Sequence, residues 1–257
     1  METGGLKMDG ITKLADMIRE SSRIVVFTGA GISTESGIPD FRSPGGIWTK
    51  YQPVEFSDFL ESEEKRRESW RMKFATESVM KEARPNKGHQ SVAELYHMGK
   101  LSSVITQNID GLHQQSGIPD DKIIELHGNA TYAKCLDCHK RYELDEIKQR
   151  FEVNETPPSC DACGGHIKTA TISFGQPMPV KEMEEAEAET LACDLFLAIG
   201  SSLVVYPAAG FPQIAKQNGS QLVIINRDET GLDGMADLVL NLEIGDTLSA
   251  AVAKVMS

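Results

Sequence analysis

The chain is predicted to fold as an α/β protein: a Rossmann-like, mostly parallel sheet with helices on both faces, interrupted by a helical insert and a small four-cysteine insert. Three observations carry this. Short β-branched apolar runs alternate with segments of helical periodicity along the 257 residues, the order that a parallel sheet covered by helices requires. A glycine turn follows the first apolar run, and two Cys-x2-Cys pairs break the rhythm near the middle. The length suits one core with insertions better than two full-sized domains, and 40% apolar with 25% charged residues is the balance of a chain that buries such a core.

In chain order, residues 11–18 set Ile11, Leu14, Ala15 and Ile18 on one helical face, and 23–27 follow as a buried strand. Further strands are expected at 103–106, 122–124, 195–199, 222–225 and 238–240, with helices at 89–97, 180–191, 208–217 and 247–255. Residues 56–87, rich in Lys, Arg and Glu, read as helices, and 130–168 hold four cysteines. The expected organisation is one domain, 1–257, with a helical insertion at about 45–87 and a four-cysteine insertion at 130–168.

A net charge of −12 argues against sequence-independent binding to phosphate backbones, so no direct nucleic-acid partner is expected. The longest apolar stretch, 191–205, is broken by Asp194 and by Gly200-Ser201-Ser202, so no membrane partner is expected either. The first residues lack the apolar core of a secretory signal, which makes the cytoplasm the expected compartment. There, paired cysteines more often hold metal than form disulfides. Cys135, Cys138, Cys160 and Cys163 would complete a tetrahedral zinc site with no position left open for catalysis. One structural ion is expected, disulfides being the alternative, and Cys193 reads as a core residue.

The first strand runs into Thr28-Gly29-Ala30-Gly31-Ile32-Ser33. Gly29, Ala30 and Gly31 would let backbone N–H groups approach a pyrophosphate at a helix N-terminus. Thr34, however, stands where a dehydrogenase fingerprint needs its third glycine, and a ligand-free tight turn explains two glycines equally well. Asp40, Phe41 and Arg42 then offer an acid, an aromatic ring and a guanidinium to a loop over a dinucleotide. Gln107, Asn108, Ile109 and Asp110 gather at the end of the second strand, where open α/β sheets bind ligands. His127 follows the third strand, and histidine is the side chain best poised for proton transfer near neutral pH. Gly200, Ser201 and Ser202, at another strand exit, suit adenosine phosphates, and the apolar 203–205 could pair with an extended substrate.

GAGISTESGIPDFRSPGGIW, TQNIDGLH and ELHGN, in this order, resemble the signatures of the sirtuin family. The resemblance implies an NAD-dependent protein-lysine deacylase acting on acetylated-lysine proteins or peptides, with NAD consumed as co-substrate. It implies that His127 is the general base, that Gln107 and Asn108 orient the ribose and a water, that Asp110 meets the carboxamide, and that Phe41 shields the reactive centre. Asn226 resembles a contact to the adenosine ribose, and Asp246 lies near the adenine in the same reading. The substrate backbone is expected between Phe174-Gly175 and Val204-Val205-Tyr206. Two departures stand out. Lys168-Thr169 replaces the usual Arg-Pro, and the helical insert lacks a Tyr-x-x-Arg pair, which implies neutral acyl groups, acetyl first.

Overall fold

The structure is a computed structural model that describes residues 2–40 and 52–257, with side chains from Met8 onward. Phe41 and Arg42 lie outside the described residues. The strands are β1 Ile24–Thr28, β2 Leu101–Thr106, β3 Ile123–Glu125, β4 Gly128–Cys135, β5 Arg141–Glu143, β6 Ile167–Thr171, β7 Leu195–Ile199, β8 Gln221–Ile225 and β9 Leu238–Leu240. Among the described residues, six of them form a wholly parallel sheet in the order β3-β2-β1-β7-β8-β9. This is the doubly wound arrangement, whose winding reverses between β1 and β7.

The helices are α1 Glu2–Glu20, α2 Phe56–Glu61, α3 Glu63–Glu82, α4 Lys87–His97, α5 Leu112–Gln115, α6 Leu144–Asn154, α7 Val180–Ala192, α8 Phe211–Gln217 and α9 Ile244–Met256. Because β1 and β7 are covered on both faces, every residue in them is buried. Ile24 and Val26 face the core shared with α1, α4 and α9, whereas Val25, Phe27 and Phe196 face the core under α7 and α8. Among the described residues no helix is long and apolar enough to cross a membrane.

Two expected elements differ. Residues 208–217 divide into a 3-10 turn, Ala208–Gly210, and α8, which opens with Pro212 in its first turn. The glycine loop does not enter an α-helix. It closes into a 3-10 turn, Ala30–Ser36, that ends at Gly37 in the left-handed region with φ 84°. Ser36-Gly37-Ile38-Pro39 cannot prolong a helix, since glycine caps it and proline lacks the N–H it would need.

A second sheet, β5-β4-β6, is antiparallel and carries α6 and the four cysteines. Its core does not close on itself. Trp70 of α3, 1% exposed, completes the cluster of Ala133, Leu144, Ile147, Phe151 and Ile167, and its ring stacks on Phe74 at 5.4 Å. On the same helix Glu77, 3% exposed at its side chain, accepts from Lys148 of α6 at 2.8 Å and pairs with Lys81 at 3.2 Å.

Candidate active site

The sheet's switch point brings two strand exits together so closely that only glycine fits. Gly31 N–H donates to Gly200 O at 2.8 Å and Gly29 N–H to Ile199 O at 3.0 Å. A Cβ on Gly31 would stand 2.7 Å from Gly200 Cα, and one on Gly200, at φ 63°, would stand 2.4 Å from Ile32 N. The glycines are therefore required by the crossing of the two loops before any ligand is considered.

Beyond this crossing opens a cavity of ≈ 580 Å³, within the range of small-molecule and cofactor sites. Gly29, Ala30, Gly31, Thr34 and Asp40 line it from the first loop; Gln107, Asn108 and Ile109 from the second; Gly200, Ser201, Ser202 and Asn226 from the far side. Phe174, Gly175, Val205 and Tyr206 form its outer rim. Leu203, next to that rim, is a core residue at 5% exposure, while Val204 at 58% projects to solvent and does not line the cavity. Asp246 is also outside the lining and pairs with Lys87 at 2.8 Å.

Gln107 organises the centre. Its N–H donates to Thr28 O at 2.9 Å, its Oε1 accepts from Ser201 Oγ at 2.9 Å, and its carbonyl lies 3.1 Å from His127 Nδ1. A carbonyl can only accept, so Nδ1 carries the proton and a neutral His127 has its basic lone pair on Nε2. The turn that presents His127 is closed from both ends: Asn129 Nδ2 donates to Glu125 Oε1 at 2.7 Å, and Ile172 N–H donates to His127 O at 2.8 Å.

Asn108 Nδ2 donates to Gly29 O at 3.1 Å and to Ser33 Oγ at 3.2 Å, and Ser33 Oγ donates to Asp110 Oδ2 at 2.7 Å. Asp110 Oδ1 accepts Leu112 N–H at 2.9 Å. Asp110 thus stands one layer behind the cavity wall and borders a smaller cavity of ≈ 290 Å³. The other histidines are elsewhere. His89 and His113 are buried, and burial pushes them down to about 4 and about 3 respectively; His97 and His139 are exposed.

Met72, Lys73 and Thr76 reach the cavity from α3, where the sequence had pointed only to the missing Tyr-x-x-Arg pair. Lys168, at 3% exposure, lines it from β6.

The four sulfurs of Cys135, Cys138, Cys160 and Cys163 lie within 4.8 Å of one another, with 3.4 Å between Cys135 and Cys163 and 3.6 Å between Cys138 and Cys160. A tetrahedron of Zn–S bonds has edges of about 3.8 Å, whereas a disulfide brings sulfurs to about 2.05 Å. Tyr142 Oη donates to Cys160 Sγ at 3.0 Å. That bond first, against the opposing effect of burial, holds the thiol down to about 6.

A cleft at the switch point of a doubly wound sheet is where this architecture takes nucleotides, so fold and site together define a nucleotide-cleft α/β protein flanked by a four-cysteine ribbon. Residues 29–207 match the Sir2 family. The chain belongs to that family, the sirtuins. It is 57% identical to NAD-dependent protein deacetylase 1 of Bradyrhizobium diazoefficiens, over 95% of each chain. It is 41% identical to NAD-dependent protein deacylase 2 of Archaeoglobus fulgidus, over 96% of each. A solved Sir2 bound to a p53 peptide and NAD+ superposes with a TM-score of 0.84 at 36% identity, covering 95% of this chain and 98% of that one. A second, with a deacetylated p53 peptide and 3′-O-acetyl ADP ribose, gives 0.86 at 38%, with the same coverage.

Proposed function

We propose that the protein is an NAD-dependent protein-lysine deacylase that transfers the acyl group to ADP-ribose and releases nicotinamide. The observation that carries this is His127, the one histidine among the described residues that lines the large cavity, with its proton committed to Gln107 and its basic nitrogen on Nε2. The solved relatives that hold NAD+, peptide and 3′-O-acetyl ADP ribose support the same substrates for this chain.

In this reading Gly29, Ala30, Gly31, Thr34 and the 200–202 turn hold the dinucleotide, Asn226 its adenosine ribose and Asp246 the adenine side. Asp40, Phe41 and Arg42 belong to the loop over it. Gln107, Asn108 and Ile109 orient the reacting ribose. The acyl oxygen bonds to the ribose carbon as the bond to nicotinamide breaks. His127 Nε2 then takes the proton of a ribose hydroxyl, whose oxygen bonds to the acyl carbon; water completes release of the lysine amine and of O-acyl-ADP-ribose. Asp110 supports Asn108 through the shared Ser33 hydroxyl, and contact with the carboxamide requires it to yield one of its present bonds. The peptide adds as a strand between Phe174-Gly175 and Val204-Val205-Tyr206.

The four cysteines hold one structural zinc ion, which the sulfur spacing fits. The chain 1–257 acts as one catalytic domain with inserts at about 45–87 and 130–168, working in the cytoplasm. Mass spectrometry of the protein with an acetyl-lysine peptide, with and without NAD, tests the function. Loss of the acetyl mass only with NAD, with nicotinamide and O-acetyl-ADP-ribose appearing, is the expected result; NAD consumption with the acetyl group intact would instead indicate ADP-ribosyl transfer. His127→Ala is expected to bind NAD within about threefold of wild type while losing deacylation by at least about 10²-fold.

A further inference from the structure

Lys168 poses a physical problem that the site described above does not use. The residue is 3% exposed, and among the described residues no carboxylate lies within ion-pair reach of it. Burying an ammonium without a counter-charge is costly, and only good hydrogen bonds offset it. Burial pulls the group down to about 8.

Its partners are backbone carbonyls. Nζ donates to Thr171 O at 2.6 Å and to Thr169 O at 3.4 Å, so the side chain folds along its own strand and gathers the carbonyls at the C-terminal end of β6. That end needs an anchor. The β4–β6 pairing is regular from Cys135 to Ala133, then its register shifts before Gly128 meets Thr171, so the ladder alone does not hold the last residues of β6.

Those residues are what His127 rests on. Ile172, one residue past the lysine's principal acceptor, donates its N–H to His127 O at 2.8 Å. Gly128, next to the histidine, is pressed so tightly on Ala170 that a Cβ would lie 2.1 Å from its carbonyl oxygen. Contacts therefore run without a gap from the ammonium, through Thr171 and Ile172, to the backbone of His127, and from its Nδ1 to Gln107.

We propose that Lys168 is a positioning residue for the general base: by tying the carbonyls of Thr169 and Thr171 it fixes the bend of β6 against which His127 is set. The proposal rests on the deacylase reading. It also assigns Lys168 to one step, because His127 Nε2 acts on the ribose hydroxyl only after nicotinamide has left.

The test separates those steps. Lys168→Met and Lys168→Arg are compared with wild type for deacylation of an acetyl-lysine peptide and for exchange of isotopically labelled nicotinamide into NAD with the same peptide. A displacement of about 1 Å at a catalytic group costs on the order of 10²-fold. Lys168→Met is thus expected to lower deacylation kcat by about 10- to 100-fold while exchange and the KM for NAD stay within about threefold, so that the exchange-to-deacylation ratio rises. Lys168→Arg, which keeps charge and donors, is expected to restore most of kcat. If Lys168→Met does not fold, Lys168→Leu, which also removes the donor, is read by the same ratio. Deacylation within about twofold of wild type in the Met or Leu variant overturns the proposal, as does an equal fall in both activities. A wild-type protein that performs neither exchange nor deacylation overturns the function assignment itself.

Discussion

Replacing Gly128 by alanine should injure stability and catalysis together, and the structure says by how much. Gly128 sits at φ 72°, a conformation that costs an L-residue about 1–2 kcal/mol. The new Cβ would lie 2.1 Å from Ala170 O and 3.0 Å from Thr171 Cα. Both are backbone atoms of β6 and cannot swing aside as a side-chain tip would. Relieving the overlap requires β6 and β4 to part by about 1 Å, the kind of overpacking that costs about 1–3 kcal/mol. If the bond from Ile172 N–H to His127 O stretches with them, about 1 kcal/mol more is lost. The total, about 2–6 kcal/mol, corresponds to a fall in Tm of roughly 5–20 °C for a chain of this size. The same movement carries His127, so deacylation kcat should fall by about 10²-fold, with a smaller change in the KM for NAD because the glycine crossing at Gly31 and Gly200 is untouched. Differential scanning fluorimetry and steady-state kinetics on one preparation measure both. A Gly128→Ala protein that melts within about 2 °C of wild type and keeps kcat within about twofold would falsify the claim that this crossing holds the histidine.

Three further predictions concern charge and metal. Burial pushes the Glu77 carboxyl up, but Lys148 and Lys81 outweigh it and leave it below the usual range, so its stabilising contribution is full above about pH 4.5 and fades as pH falls through the lowered value. Changing both lysines to Met strands the carboxylate and should cost about 3–5 kcal/mol in urea unfolding at pH 7. Glu77→Met, whose removal leaves Lys81 paired with Asp145, should cost much less; equal losses would refute this asymmetry. His113 and His89 are held at about 3 and about 4 when folded, below the ordinary value, so the unfolded chain takes up protons first. Stability is then fully present above about pH 6.5 and declines below it by up to about 1.4 kcal/mol per pH unit for each, and His113→Phe should flatten that slope. In the zinc reading, chelation of a Trp48→Phe protein should release one zinc per chain and red-shift the emission of Trp70, whose cluster includes Cys135 and Cys160; an unchanged spectrum on metal loss would sink the coupling of α3 to the cysteine module.

The sheet was largely legible because strands buried on both faces leave continuous apolar runs. Residues 195–199 and 238–240 are strands residue for residue, and β1 begins one residue later than its apolar run. The glycines of the first loop were legible as a motif, but their leading physical cause was not: Gly29 and Gly31 make room for Gly200, a neighbour that sequence spacing cannot reveal. For the same reason neither the strand exit that points Asp110 to a ligand nor the resemblance that points Asp246 to one shows their present partners, Ser33 and Lys87, which come from other elements. The helical insert bore on acyl preference through a missing Tyr-x-x-Arg pair, but that Met72 and Thr76 line the cavity emerges only once α3 is laid against the sheet. Lys168 showed only as a departure from Arg-Pro, and what it binds is backbone, which no side-chain pattern announces.

The strand order has a consequence for how the protein is made. Of the strands among the described residues β1 leaves the ribosome first, yet Ile24 needs Leu101 on one side and Leu195 on the other. Until β7 emerges, the earliest strand has an open edge, and Gly29 and Gly31 have nothing to cross. Closure over such separations is slow, and unpaired edges invite wrong partners meanwhile. A nascent chain stopped before Gly200 therefore holds the loops after β1 and β2 without the crossing that closes the cleft on them, so the cleft is completed late in synthesis.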